Sequence, residues 1–455
     1  MSLAPERAMA KGARAARAPT VRAATSVPGG GHDRESTRAL WLILLYVALV
    51  YLRPHEYVES LHEVPIIVST LLLAFVVWLT QPLKDFSASH HRLMPALLAV
   101  MSLSVAFNGW MGGAVYAAYE FGSVLILFIM TATSRFGPPT FRTVFFVIGS
   151  VTTVLAIHGI DQSINGVGWS GATMIEGRIR YIGVLNDPND LALAFLASLP
   201  MTLYWGRTGS FVSKMLALGA AGVQLFGIYL TNSRGAMVAM GAMLSVYSVR
   251  RFGPGRSLAV LPVLIGLAFA LAPSRVLEIS SEEESAAGRV EAWYQGFLML
   301  ATHPLFGVGK NNFGDHHIRT AHNSVVLVFA ELGLVGYFFW LALLVVTVLM
   351  LREVIRLRPA DAQGEPRADI DAYRQVAIML GYSLGGFMVA AMFLSRSYNF
   401  LLYFLQALIV VLYLGARRRW PDEVHLVAVG RWVGAILLLE FSSIVVLYLL
   451  TKLLL

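Results

Sequence analysis

Apolar stretches recur along nearly the whole chain, each approaching the roughly 20 residues that a helix needs to cross a hydrocarbon layer about 30 Å thick. They fall near residues 39–53, 64–80, 93–107, 115–133, 140–158, 190–206 and 214–231. The series continues near 235–249, 257–272, 323–351, 374–394, 398–414 and 432–452. This pattern predicts an all-α, polytopic integral membrane protein with about twelve transmembrane helices, or thirteen if every run spans. Several runs are short, so twelve spans plus one interfacial or re-entrant helix fits equally well.

The polar intervals divide the chain. Residues 1–38 carry seven Lys/Arg against three acids and are rich in Ala, Gly and Pro, which predicts a disordered basic cytoplasmic tail. A cleavable signal peptide is not expected, because the first apolar run starts only near Ala39. Residues 39–272 hold the first nine runs, 273–322 a large extracytoplasmic loop, and 323–455 the C-terminal helices. Within the loop, Val290, Trp293, Phe297 and Leu300 recur at helical spacing, which predicts an amphipathic helix on the membrane surface. No internal repeat and no soluble domain interrupts the series.

Composition sharpens this. Hydrophobic residues make up 57% and charged residues 14%, where a soluble domain carries about 25% charged, so a water-soluble enzyme is excluded. There is no cysteine, which excludes disulfides, thiolate metal sites and Cys nucleophiles. The net charge of +8 matters less than its placement. With the N-terminus inside, 25 of the 35 Lys and Arg fall in the tail and on inside connections, and 10 fall outside. The basic excess is therefore topological, and nucleic-acid binding is not expected.

The positive charges on the unfavoured side draw attention to themselves. Arg178 and Arg180 lie in EGRIRYIGVLNDPNDLA, Arg234 in TNSRGA, Arg289 in AAGRVEAW and Arg396 in LSRSYNF. Charge at the membrane edge is costly and reads as functional by default. Arg offers a planar fork of donors that matches phosphate oxygens in two-point contacts, so several converging Arg would hold a phosphorylated lipid. A single Arg of this kind more often snorkels or pairs with an acid. His322 and Asn323 stand where the large loop enters a long run. A neutral imidazole there can take a proton from a hydroxyl, while Asn323 also suits a helix cap. Asn189, in NDPND, fits a turn and helix start whose polar groups could orient a sugar. Asp315, His316 and His317 have unconvincing spacing for a metal, so neither a metal nor another cofactor is expected. The segment FGVGKNNFG lacks the flanking strand and helix of a nucleotide loop, and its glycines are read as turns at the membrane surface.

Taken together, RIRYIGVLNDPN (178–189), NSRGA (232–236), GRVEAW (288–293), HPLFGVGKNNF (303–313) and AHNSVVLVFAELGLVG (321–336) resemble the O-antigen ligase/polymerase superfamily of bacterial membrane glycosyltransferases. The order of the motifs matches, as does a long loop bracketed by GR…W and HN. YLRPHEY (51–57) is similar to a subgroup linked to exopolysaccharide loci. The resemblance implies a GT-C-related fold and a donor glycan on undecaprenyl diphosphate at the outer, periplasmic face of the inner membrane. The acceptor would be lipid A–core in the ligase branch, which is favoured, another lipid-linked repeat in the polymerase branch, or a protein in the O-oligosaccharyltransferase branch. In this frame His322 would be the base and Arg180, Arg234 and Arg289, with Arg178, the diphosphate clamp. Asn323, Asn189, Trp293 and Arg396 would support or orient. A transporter or flippase without chemistry is the rival from another class; it would place charges near mid-depth and show paired broken helices.

Overall fold

A computed structural model describes residues 37–270, 280–360 and 364–455 as a helical bundle, with no β-strand among them. The basic tail expected over 1–38 and the first residues of the loop expected from 273 thus fall largely outside the described residues. The helices are α1 (Leu40–Leu52), α2 (Ile66–Leu79), α3 (His90–Phe107), α4 (Met111–Ala132) and α5 (Pro138–Asn165). There follow α6 (Pro188–Arg207), α7 (Phe211–Thr231), α8 (Arg234–Ala270), α9 (Ser280–Thr302) and the single turn α10 (Phe313–His316). The chain closes with α11 (Ser324–Arg356), α12 (Ala368–Ala391), α13 (Phe400–Arg419) and α14 (Val433–Leu454).

Every apolar run of the sequence lies on one of these helices. Six helices among the described residues are long and apolar enough to cross a membrane: α4, α5, α7, α11, α13 and the one at the C-terminal end. The molecule is a polytopic, all-α membrane protein. Two adjacent runs share α8, which bends at Gly253 (φ +79°). Pro254 causes the bend, because it disfavours helical geometry in the residue before it and donates no hydrogen bond. At the centre of the bundle α13 is buried along almost its whole length, whereas α14 leaves Leu438 and Phe441 exposed, as a lipid-facing helix would.

The most consequential departure from a regular bundle is in α11. Its helix is interrupted at Gly333 (φ +63°), and the segment 304–309 fills the interruption. Val308 and Gly309 donate to the carbonyls of Ala330 and Glu331 at 3.0 and 2.9 Å, and Leu334 donates to Pro304 at 2.8 Å. Backbone freed by a break inside an apolar bundle must find partners in the protein, and here it does. A side-chain carbon at Gly307 would come within 2.4 Å of the Glu331 carbonyl, and one at Gly333 equally near that of Leu305. Of the glycines of FGVGKNNFG, read above as turns at a membrane surface, Gly307 is the one that allows this inward seam. The helix expected around 288–302 is present as part of α9. Its stripe packs on the protein: Phe297 meets Phe329 of α11 and Tyr448 of α14.

Candidate functional site

One end of the bundle collects the start of α6, the α7–α8 turn, the start of α11 and the turn joining α12 to α13. Each motif builds its part through local rules. In TNSRGA, Asn232 takes the left-handed conformation (φ +53°) that ends α7, a role Asn fills well. The Ser233 hydroxyl then accepts from the Ala236 amide, and Arg234 opens α8. Gly235 lets this start approach Phe393. In NDPND, Asp187 caps α6 and Pro188 occupies its first turn, where a missing N–H costs nothing.

His322 is fixed from three sides. Trp293 of α9 donates its indole N–H to the Ala321 carbonyl at 2.9 Å, anchoring the residue before it. Its own amide donates to the Ser395 hydroxyl at 2.9 Å. Ser324, just after it, donates to the Leu394 carbonyl at 2.7 Å and accepts from the Arg396 amide at 3.0 Å. Asn323 caps α11, accepting from the amides of Val325 and Val326. His322 itself has φ +46°, a conformation uncommon for residues other than glycine and characteristic of functional positions.

The electrostatics of this end are unusual. Burial, then Arg234 and Arg319, holds the Arg289 guanidinium below its ordinary pKa. Burial, followed by Arg289, with Arg396 and Arg319 adding and Asp187 opposing, likewise holds the His322 imidazole below its ordinary value. His322 is therefore neutral at pH 7 and able to accept a proton. Cations that raise one another's cost are relieved by an anion, and the amide ends of α6, α8 and α11 add positive potential nearby.

The expected site residues thus divide. The structure sets Arg289 and Arg396 near His322, and Arg234 near Arg289. Arg396 is held by both oxygens of Asp190 at the start of α6, so it braces the α12–α13 turn. Arg178 spans from the Thr231 carbonyl (2.8 Å) to Asn189 (2.9 Å), and Asn189 donates in turn to Asp187 (2.9 Å). Arg180 donates to the Thr173 carbonyl (2.8 Å) and to Asn186 (3.0 Å). Arg178 ties the loop 166–187 to the end of α7 and the start of α6, Arg180 braces the loop from within, and neither is among the charges acting on His322 or Arg289. Sequence reasoning missed Arg319, which lies over Gly288, and Ser395. Arg319 was visible as one more positive on the unfavoured side, three residues before His322; nothing local marked Ser395.

Beside this cluster opens a cavity of about 960 Å³, lined by Asp187, Thr320, Ser395 and Arg396 among others, and reaching Glu331 at the break of α11. A half-buried histidine, a group of neighbouring guanidiniums and an adjoining polar cavity form an arrangement suited to hydroxyl attack on a centre bearing an anionic leaving group.

Residues 216–341, from α7 to the middle of α11, match the family described as O-antigen ligase. Among curated proteins, none matches the chain.

Proposed function

We propose that the chain, whose residues 216–341 match the O-antigen ligase family, transfers a glycan from undecaprenyl diphosphate onto the sugar of lipid A–core. The observation that carries this reading is the grouping of Arg289, Arg396 and Arg319 about His322, with Arg234 beside Arg289. We assign this end of the bundle to the periplasmic face of the bacterial inner membrane, since it bears the minority of the Lys and Arg. Twelve or thirteen spans satisfy that orientation.

The chemistry follows from the groups present. An acceptor hydroxyl attacks the anomeric carbon, and the new C–O bond forms as the bond to the diphosphate oxygen breaks. His322 takes the hydroxyl proton, and undecaprenyl diphosphate departs with the electron pair. The leaving group needs charge neutralisation rather than a proton, and the guanidiniums provide it in the role that a divalent cation fills elsewhere. A single displacement of this kind inverts the anomeric configuration. Ser395, Trp293 and Ser324 act through His322, by fixing its backbone, and Asn323 and Arg396 hold the helix ends around it.

The test is reconstitution of the full chain in liposomes with undecaprenyl-diphosphate glycan and lipid A–core, without nucleotide and with EDTA, followed by gel analysis of the lipids. The expected product is glycan-capped lipid A–core. Elongated undecaprenyl-linked chains would overturn the acceptor in favour of a polymerase. Unchanged lipids would overturn transfer altogether.

A further inference from the structure

The cavity beside His322 is lined differently from the cluster at its edge. Its cations are each matched by a carboxylate: Lys310 with Glu120 at 2.5 Å, Arg396 with Asp190, and Arg53 with Glu56. Glu331 and Asp187 add further carboxylates to the wall. Such a lining, neutral to slightly acidic, repels phosphate and suits a ligand whose polar groups are hydroxyls. Tyr46, Phe121, Tyr398 and Phe400 bring aromatic rings to the same wall, against which the C–H faces of a sugar ring can lie. The volume is at the upper end of the roughly 300–1,000 Å³ of small-molecule cavities, enough for more than one sugar ring.

Glu331 supplies the second, independent observation. It is 2% exposed, on a helix apolar enough to span a membrane; the Phe313 amide reaches its Oε1 at a long 3.4 Å, and the Asn311 amide is also beside the carboxylate. Its Oε2 and the adjoining Tyr398 hydroxyl lie close to each other, yet neither completes a hydrogen bond of good geometry. A buried carboxylate oxygen without a donor costs about 1–3 kcal/mol or more, so a fold that retains one has a use for it. The break of α11 at Gly333 and the seam with 304–309 are what aim this acid into the cavity rather than into a helix surface.

We propose that this cavity is a subsite for uncharged, hydroxyl-bearing sugar residues, with Glu331 Oε2 accepting a sugar hydroxyl and Tyr398 adding a second polar contact. The proposal rests on the transferase reading and deepens it: the diphosphate stays with the guanidiniums at the edge, and a glycan threads inward past Ser395. Glu331 is then a specificity-determining residue, not a proton carrier for the reaction. Either substrate could supply the sugar, the glycan of the lipid-linked donor or that of the acceptor.

The test uses the full chain in nanodiscs and two water-soluble, phosphate-free probes. One is the glycan released from undecaprenyl diphosphate by mild acid, the other a dephosphorylated core oligosaccharide. Each is titrated by saturation-transfer NMR. One probe should bind saturably to wild type, and which one identifies the source. Glu331→Gln, which replaces one carboxyl oxygen by an amide donor, should weaken it severalfold to roughly tenfold, about the worth of one buried hydrogen bond. Tyr398→Phe, which removes a hydroxyl that completes no well-formed hydrogen bond in the protein and keeps the ring, should weaken it severalfold. Binding of neither probe, or wild-type affinity in both variants, overturns the subsite even if transfer activity is intact. Conversely, Glu331-dependent sugar binding in a protein that transfers nothing would keep the subsite and overturn the transferase.

Discussion

Around His322, Arg289 stands against Arg234 and Arg319, whereas in the adjoining cavity Lys310, Arg53 and Arg396 are each matched by a carboxylate. Both regions are built by the same elements, the turn 392–399 and the start of α11. The difference teaches where each kind of ligand group belongs. Guanidiniums that raise one another's cost favour an anion brought among them. Cations already matched by carboxylates gain less from one, and what remains unsatisfied in the cavity is a hydrogen-bond acceptor, the Oε2 of Glu331. An anionic end and a hydroxyl-bearing end of one substrate would therefore sort themselves between the two regions.

The most damaging way to break this comparison is to remove the base that stands between them. His322→Ala should lower the transfer rate by about 10²–10⁴-fold, the typical contribution of general-base catalysis, with expression and membrane insertion normal. Retained full activity would remove His322 from the chemistry. A smaller loss should follow Arg289→Lys, which keeps the positive charge but replaces the fork by a compact ammonium. Loss of one charge-assisted contact out of two predicts roughly a tenfold rise in the donor KM or fall in kcat. If the lysine variant matches wild type, simple charge attraction suffices at this edge, and two-point geometry is not what distinguishes it from the cavity.

Much of this was legible in the sequence, for a physical reason. A helix among lipids must be apolar along its length, so the runs announce the helices, and any cation on the unfavoured side stands out. Arg178, Arg180, Arg234, Arg289 and Arg396 were found that way, and His322 by its place at a helix start. What the sequence did not separate is the job of each. Arg178 and Arg180 spend their donors on Thr231, Asn189, Thr173 and Asn186, and only the folded loop shows that. Pairings across long separations were equally invisible: Glu120 with Lys310, and Asp190 with Arg396. Glu331 was the readable signal left unused, a single acid inside the run 323–351 followed two residues later by Gly333. An acid at that depth defaults to function, and the glycine beside it marks the break that aims it.

The smallest effect, and the sharpest test of how the edge cations act, is on pH dependence. His322 has its pKa lowered by burial first and then by Arg289, with Arg396 and Arg319 contributing and Asp187 opposing. A histidine base works in its neutral form, so activity is full above the lowered pKa and falls as pH drops through it. The acid limb of kcat/KM should therefore lie below the ordinary histidine value of about 6.5. Arg319→Ala removes one of the depressing charges without touching the ring or its backbone bonds to Ser395. The limb should then move upward, toward but not reaching the ordinary value, because burial remains. Arg289→Ala, removing the stronger neighbour, should move it further. A limb that stays in place in both variants would mean that the guanidiniums do not act on His322, and that the edge is a phosphate clamp with no part in setting the base.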